Sequence, residues 1–193
     1  MLVTWCRISR SFFDAHPAVN IELVETPGVA RLVEDGFDLA IRVAEAPAPG
    51  LVVRRLATSR VLIVASPSYL ARHGIPSTAR EVAQHRCVGC SPLAWRDTWR
   101  LGADTVSVRP VLLTDNAESL RTAALSGIGL VAIPDWAVTD AVISGELQRV
   151  LPETETPMSG IFAVYPTNRL TTPKVRAFVD HVARGLHARG LPR

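Results

Sequence analysis

Strand-like and helix-like segments alternate along almost the whole of this 193-residue chain, and that alternation limits what it can fold into. Val19 to Glu25 (VNIELVE) largely alternates apolar with polar residues, the pattern of a half-buried strand. Thr26-Pro27-Gly28 turns the chain into a short helix, Val29 to Asp35, which Gly36 closes. Phe37 to Val43 alternates again. Leu51 to Leu56 follows as a strand-like piece, and the unbroken apolar run Val61 to Ala65 predicts a strand covered on both faces. Ser66 and Pro67 then stand as N-cap and first residue of a helix that stops at Gly74. A second helix is expected over Thr78 to Gln84, with strand-like pieces near 86–90 and 105–113. Asp115 and Glu118 have capping-box spacing ahead of a helix to Ser126, with Gly127 closing it. Leu130 to Ile133 reads as another buried strand, and Pro134 as the start of a helix to about Ser144. Strands at 147–150 and 161–165 precede a final helix with Thr172 as cap, Pro173 first, and an apolar stripe from Val175 to Leu186. Such alternation predicts an α/β fold with a mainly parallel sheet. In sheets of that kind ligands bind at the carboxyl ends of the strands.

Composition narrows the function further. No apolar run approaches the ~20 residues of a membrane helix, and the first residues lack the order of a signal peptide, so a cytoplasmic chain is expected. The net charge is +3, but the basic residues are scattered: only Lys174 is lysine, and Arg54-Arg55 is the only adjacent basic pair. DNA-binding surfaces concentrate positive charge, so no direct DNA contact is expected of this chain. Cys87 and Cys90 have C-x-x-C spacing, but without a second cysteine pair the reading is a buried Cys87 and an incidental Cys90. The chain has no G-x-S-x-G elbow, no third glycine after Gly127 and Gly129, and no H-E-x-x-H. The expectation is a non-enzyme with no catalytic residue, no metal and no cofactor.

Seven segments carry a resemblance. They are Phe12 to Leu23, Gly36 to Val43 (GFDLAIRV), Val64 to Pro76 (VASPSYLARHGIP), His85 to Cys87, Ser126 to Trp136 (SGIGLVAIPDW), Gly145 to Pro152 and Ala163 to Pro166. Each alone is weak. In their order and spacing they resemble the effector-binding domain of LysR-type transcription regulators, over nearly the whole chain.

The resemblance implies the type 2 periplasmic-binding-protein fold, with two Rossmann-like lobes joined by two crossover strands and an effector in the cleft between. Lobe one would be 1–63 plus 146–193, lobe two 64–145, with crossovers near 61–66 and 144–150. It also implies a winged helix-turn-helix and linker helix ahead of this domain, and a first strand with its turn ahead of residue 1. Relative to that fold the chain is expected to be N-terminally truncated, with DNA reached only through the absent domain. The implied partners are a small, carboxylate-type effector and a second copy in a homodimer or higher oligomer, with no membrane. Segments 2–13 and 116–126 are the expected pairing faces.

The implied effector contacts are the turn Thr26, Pro27 and Gly28, then Arg42 with Val43 at a strand end, and Ser66 at the crossover. They continue with Asn116, Ala117 and Glu118, whose helix start would offer free amides to an anion, and with Pro134. A transporter's solute-binding protein of the same fold is the alternative reading, and an enzyme the third.

Overall fold

The computed structural model describes residues 10–24, 32, 35–44, 52–91, 95–165, 172–188 and 190–192. It contains two compact units: residues 60–157, here the inserted unit, and residues 2–59 with 158–193, the outer unit. The chain passes into the inserted unit within a strand and leaves it just ahead of another. The division differs from the expected 64–145 on both sides. Val61 and Ile63 lie in the inserted unit's core, and so does Val150. The Thr156 hydroxyl donates to the Val61 carbonyl, which fastens the 146–157 segment to the same unit.

The inserted unit is a sheet covered on both faces. Its strands are the last part of β2 (Val52–Ala65), β3 (Cys87–Cys90), β6 (Pro110–Thr114), β7 (Leu130–Pro134) and β8 (Gln148–Val150). β3 is parallel to both β6 and β7. β2 runs antiparallel to β7, Val61 opposite Pro134 and Val64 opposite Val131, and antiparallel to β8 on its other side. Successive side chains of a strand point to opposite faces, and the two cores follow that period. On one face Val61, Ile63, Ala65, Cys87, Leu130 and Ala132 pack against Tyr69 and Leu70 of α1 (Pro67–His73) and Val82 of α2 (Ala79–Val82). Trp99 of the antiparallel hairpin β4 (Thr98–Leu101) and β5 (Asp104–Ser107) joins them. On the other face Leu62, Val64, Val88, Cys90, Val131 and Ile133 meet Leu120, Ala123 and Ala124 of α3 (Ala117–Leu125) and Ala141 of α4 (Thr139–Ile143).

In the outer unit β1 (Ala40–Ala44) is antiparallel to β9 (Met158–Tyr165), from Ala40 opposite Val164 to Ala44 opposite Gly160. β9 is hydrogen-bonded to β2 on its other side. Val175, Val179, Val182 and Leu186 form the buried stripe of α5 (Pro173–Ala188). Their i, i+4, i+7, i+11 spacing is that of one helix face.

Several expectations are corrected. Residues 52–56 and 61–65 are parts of one strand, because Ala57 to Arg60 contains no glycine, proline, asparagine or aspartate and Ala57 and Ser59 are buried. The helix expected from Pro134 is a 3-10 turn, Asp135–Ala137, followed by the short α4. Residues 19–24 form no ladder, and Ile21, Leu23 and Val24 are exposed. A strand exists only as one side of a pair, and the alternation in 19–24 has no edge to join among the described residues. The helix at 29–35 falls largely outside them, though Gly36 has the left-handed conformation (φ 73°) expected of a helix-closing glycine.

The α3–α4 junction is tied by an ion pair. Arg121 donates from Nη1 to Asp140 Oδ1 at 2.6 Å and from Nη2 to Oδ2 at 3.2 Å, and Nη1 also reaches the Ala137 carbonyl at 2.8 Å. The guanidinium beside Asp140 holds its carboxyl below the usual carboxylate range. A lowered carboxyl pKa contributes stability above the unfolded value near 4, and that contribution is lost as pH falls through the folded value. Because the Asp140 side chain is 54% exposed, solvent screens the pair. Asp140→Asn is therefore expected to cost only about 0.5–1 kcal/mol at pH 7. Urea unfolding of parent and variant should show that gap closing below about pH 4; a gap that does not change with pH would refute the assignment.

Candidate functional site

Parallel β3, β6 and β7 end together at one edge of the inserted unit's sheet. Thr114 ends β6, Asn116 caps α3, and Pro134 ends β7 and leads into the 3-10 turn. The expected residues Asn116, Ala117, Glu118 and Pro134 thus gather on one edge. Ser66 does not join them. β2 runs opposite to β7, so Ser66 lies beyond the partner of Leu130, at the amino end of β7. Five strand residues put about 15 Å between the two edges. Ser66 is buried and serves as the α1 cap, its hydroxyl accepting from Tyr69 N at 3.2 Å and lying 3.0 Å from Ser68 Oγ.

The α3 start is less open than expected. Asn116, not Asp115, is the cap, and its Oδ1 accepts from Glu118 N at 2.9 Å and Ser119 N at 3.1 Å. Leu120 N donates to the Asn116 carbonyl, which leaves the Ala117 amide as the first-turn donor this cap does not take up. Glu118 adds a negative charge to that turn. The helix end therefore attracts an anion only weakly. The other terminus is closed as well: Ile128 N donates to the Ala123 carbonyl and Gly127 N to that of Ala124, with Gly127 at φ 69°, a Schellman motif.

Sequence reasoning missed two residues on this edge, Asp135 and Trp136. Asp135 accepts from Trp136 N at Oδ1 (2.8 Å) and from Arg60 N at Oδ2 (3.3 Å), and so fixes the backbone on both sides. The Trp136 indole N–H is buried without a hydrogen-bond partner. The signal was present as Pro-Asp-Trp directly after a wholly apolar run.

In the outer unit Arg42 occupies the middle of β1, not its end, because the strand continues to Ala44. It faces Phe162 across the pair, whereas Val43 is opposite Ile161, so the two neighbours lie on different faces of the sheet. Thr26, Pro27 and Gly28 lie outside the described residues.

The C-x-x-C pair cannot act together. Residues three apart on a strand point to opposite faces, and Cys87 packs in one core while Cys90 packs in the other. Burial pushes the Cys87 thiol up to about 12, far from the range of a reactive thiolate. Among the described residues no three His, Cys, Asp or Glu side chains are grouped to hold a metal, and no helix is long and apolar enough to cross a membrane.

A two-unit α/β architecture with strand ends gathered at one edge is one that binding proteins share. Within it, the family described as the LysR substrate binding domain matches residues 4–186, and the chain belongs to that family. The helix-turn-helix transcriptional regulator CrgA of Neisseria meningitidis is 31% identical over 183 residues, covering 93% of this chain and 61% of the regulator. The chain thus spans about three-fifths of that relative's length. The solved regulatory domain of CrgA superimposes with a TM-score of 0.88 at 30% identity, covering 96% of this chain and 94% of that domain. Full-length AphB of Vibrio cholerae, a virulence activator, gives a TM-score of 0.78 at 27% identity, over 93% of this chain and 62% of AphB. The fold is the mixed α/β fold of LysR regulatory domains.

Proposed function

We propose that this chain is the effector-sensing part of a cytoplasmic LysR-type transcription regulator, which binds a small molecule and catalyses nothing. The observation that carries the reading is the family match over 4–186 together with the fold shared with the CrgA regulatory domain. The named relatives are transcriptional regulators, which favours this reading over a transporter's binding protein. In this reading DNA is contacted through a separate helix-turn-helix segment. The effector acts by favouring one conformation through its differential affinity. The residues proposed to contact it are, in the inserted unit, Asn116–Glu118 and Pro134 at the strand-end edge and, in the outer unit, Arg42, together with Thr26, Pro27 and Gly28 of the expected set.

The reading also includes a homodimer. β6 is an edge strand whose Val111, Leu112 and Leu113 are all exposed, directly before α3. An unpaired apolar edge is a liability unless another chain covers it. Ile21, Leu23 and Val24 are a second run of exposed apolar side chains, though not a strand, and contact with a second copy would cover apolar surface of this kind.

The test is a thermal-shift screen of small organic acids. A true effector at ~100-fold its Kd stabilises by ~2.7 kcal/mol, or about 5–10 °C for a domain of this size. Asn116→Ala, which loses its cap at a cost of about 1 kcal/mol, should lower the ligand-free midpoint and also shrink the ligand-induced shift. A screen in which no acid moves the midpoint of the folded chain would count against a carboxylate effector. An undiminished shift in Asn116→Ala would remove that edge from the site.

A further inference from the structure

The helix start at Asn116 has most of its amides taken and a carboxylate beside it, so the charged end of an acidic ligand needs another receptor. The outer unit contains two arginines suited to the task. Directly opposed residues of an antiparallel pair project on the same face, so Arg42 stands beside Phe162 on one side of the sheet. Arg55 reaches the same ring from β2, its guanidinium carbon 5.5 Å from the Phe162 centroid. β1 and β2 flank β9, so their backbones lie about 10 Å apart. Two arginine side chains can close that span onto one small anion.

Two acids of the outer unit are already engaged. Lys174 holds Asp38 at 3.1 Å, and Asp180 is paired with Arg54, the neighbour of Arg55 that points to the opposite face. Among the described residues no carboxylate is paired with Arg42 or Arg55. Arg42 is half-buried, so its charge has lost part of its water, and among the described residues no counter-charge replaces it. The Phe162 ring is buried and lies over residue 160: a Cβ there would run into it, and only glycine leaves that space. A guanidinium that lies over an aromatic ring uses its face there and keeps its in-plane N–H donors for an oxyanion.

We propose that Arg42 and Arg55, with Phe162 as the platform between them, form a receptor for a small oxyanion, the carboxylate or phosphate end of a ligand. The proposal rests on the effector-sensing reading and names the charged end of the effector. The probes are malonate and inorganic phosphate, followed by amide NMR of the full chain, with chloride at matched ionic strength as control. Saturable shifts are expected at residues 42, 55 and 160–164 with at least one probe, and the tighter probe identifies the headgroup. Arg42→Gln and Arg55→Gln should each weaken that binding roughly tenfold to a hundredfold. Arg42→Lys, which keeps the charge without the fork, should fall between and serves if Arg42→Gln does not fold. Shifts equal to those with chloride, or affinity unchanged in the folded variants, would overturn the site. An effector from the acid screen that stabilises parent and arginine variants equally would also sink it while leaving the sensing reading intact. Saturable malonate or phosphate binding here with no effector found would do the reverse.

Discussion

Trp99→Ala should lower the unfolding free energy by about 3–5 kcal/mol, the range for emptying a large aromatic site in a core. Trp99 is fully buried on β4, its indole N–H donates to the Trp95 carbonyl at 3.1 Å, and its ring lies 6.4 Å from that of Trp95. It is the largest of the fully buried side chains and shares its core, formed by β2, β7, α1 and α2, with Trp95. Removing it leaves a cavity and an unpaired carbonyl together. Against a typical total of 5–15 kcal/mol, the variant would be close to unfolding at room temperature. Urea unfolding followed by far-ultraviolet circular dichroism gives the comparison. A loss below about 1.5 kcal/mol, well short of the aromatic range, would mean that the hairpin β4–β5 is an appendage and not a wall of the core.

Gly129→Ala is expected to be comparably severe for a different reason. A Cβ there would overlap the backbone carbonyl of Arg86 and stand 2.7 Å from its carbon, and that carbonyl already accepts the Leu130 amide at 2.8 Å. Backbone cannot rotate away as a side chain can, so the start of β7 must separate from the residue that leads into β3. The cost should reach about 3 kcal/mol or more, the upper end for overpacking. Gly145→Ala is the control. Gly145 has φ 80° but open space around it, so only the left-handed conformation is penalised, about 1–2 kcal/mol. If both variants lose the same amount, close approach at Gly129 is not what the position requires.

The comparison of sequence with structure divides along physical lines. Elements with strong local signals were legible. The runs 61–65 and 130–133 are buried on both faces, Ser66-Pro67 starts α1, and the stripe from Val175 to Leu186 is a buried helix face. What depends on long-range pairing was not. That Ser66 lies away from Asn116 follows from β2 running against β7, a direction written in no local pattern. Arg42 is expected near a strand end because the alternation stops at Val43, whereas pairing with β9 carries the strand on to Ala44, opposite Gly160. Of the hairpin at 98–107 only Thr105 to Ser107 falls within an expected strand, and that piece, expected to run on to 113, is divided between β5 and β6. Thr98 to Leu101 alternates as a half-buried strand does but is only four residues long. The hairpin's burial comes from two tryptophans whose partners are far away in the chain.

The placement of Cys87 and Cys90 on opposite faces of β3 has a practical consequence for following this domain. The two thiols sit in separate cores that share one strand, and neither is in a disulfide. A thiol reagent reaches Cys87 only when the wall of α1 and α2 opens, and Cys90 only when that of α3 and α4 does. Peptide-resolved labelling rates at the two sites would therefore time the opening of each wall separately. The inserted unit thus carries two internal clocks three residues apart on one strand, readable through its own thiols without introducing a cysteine.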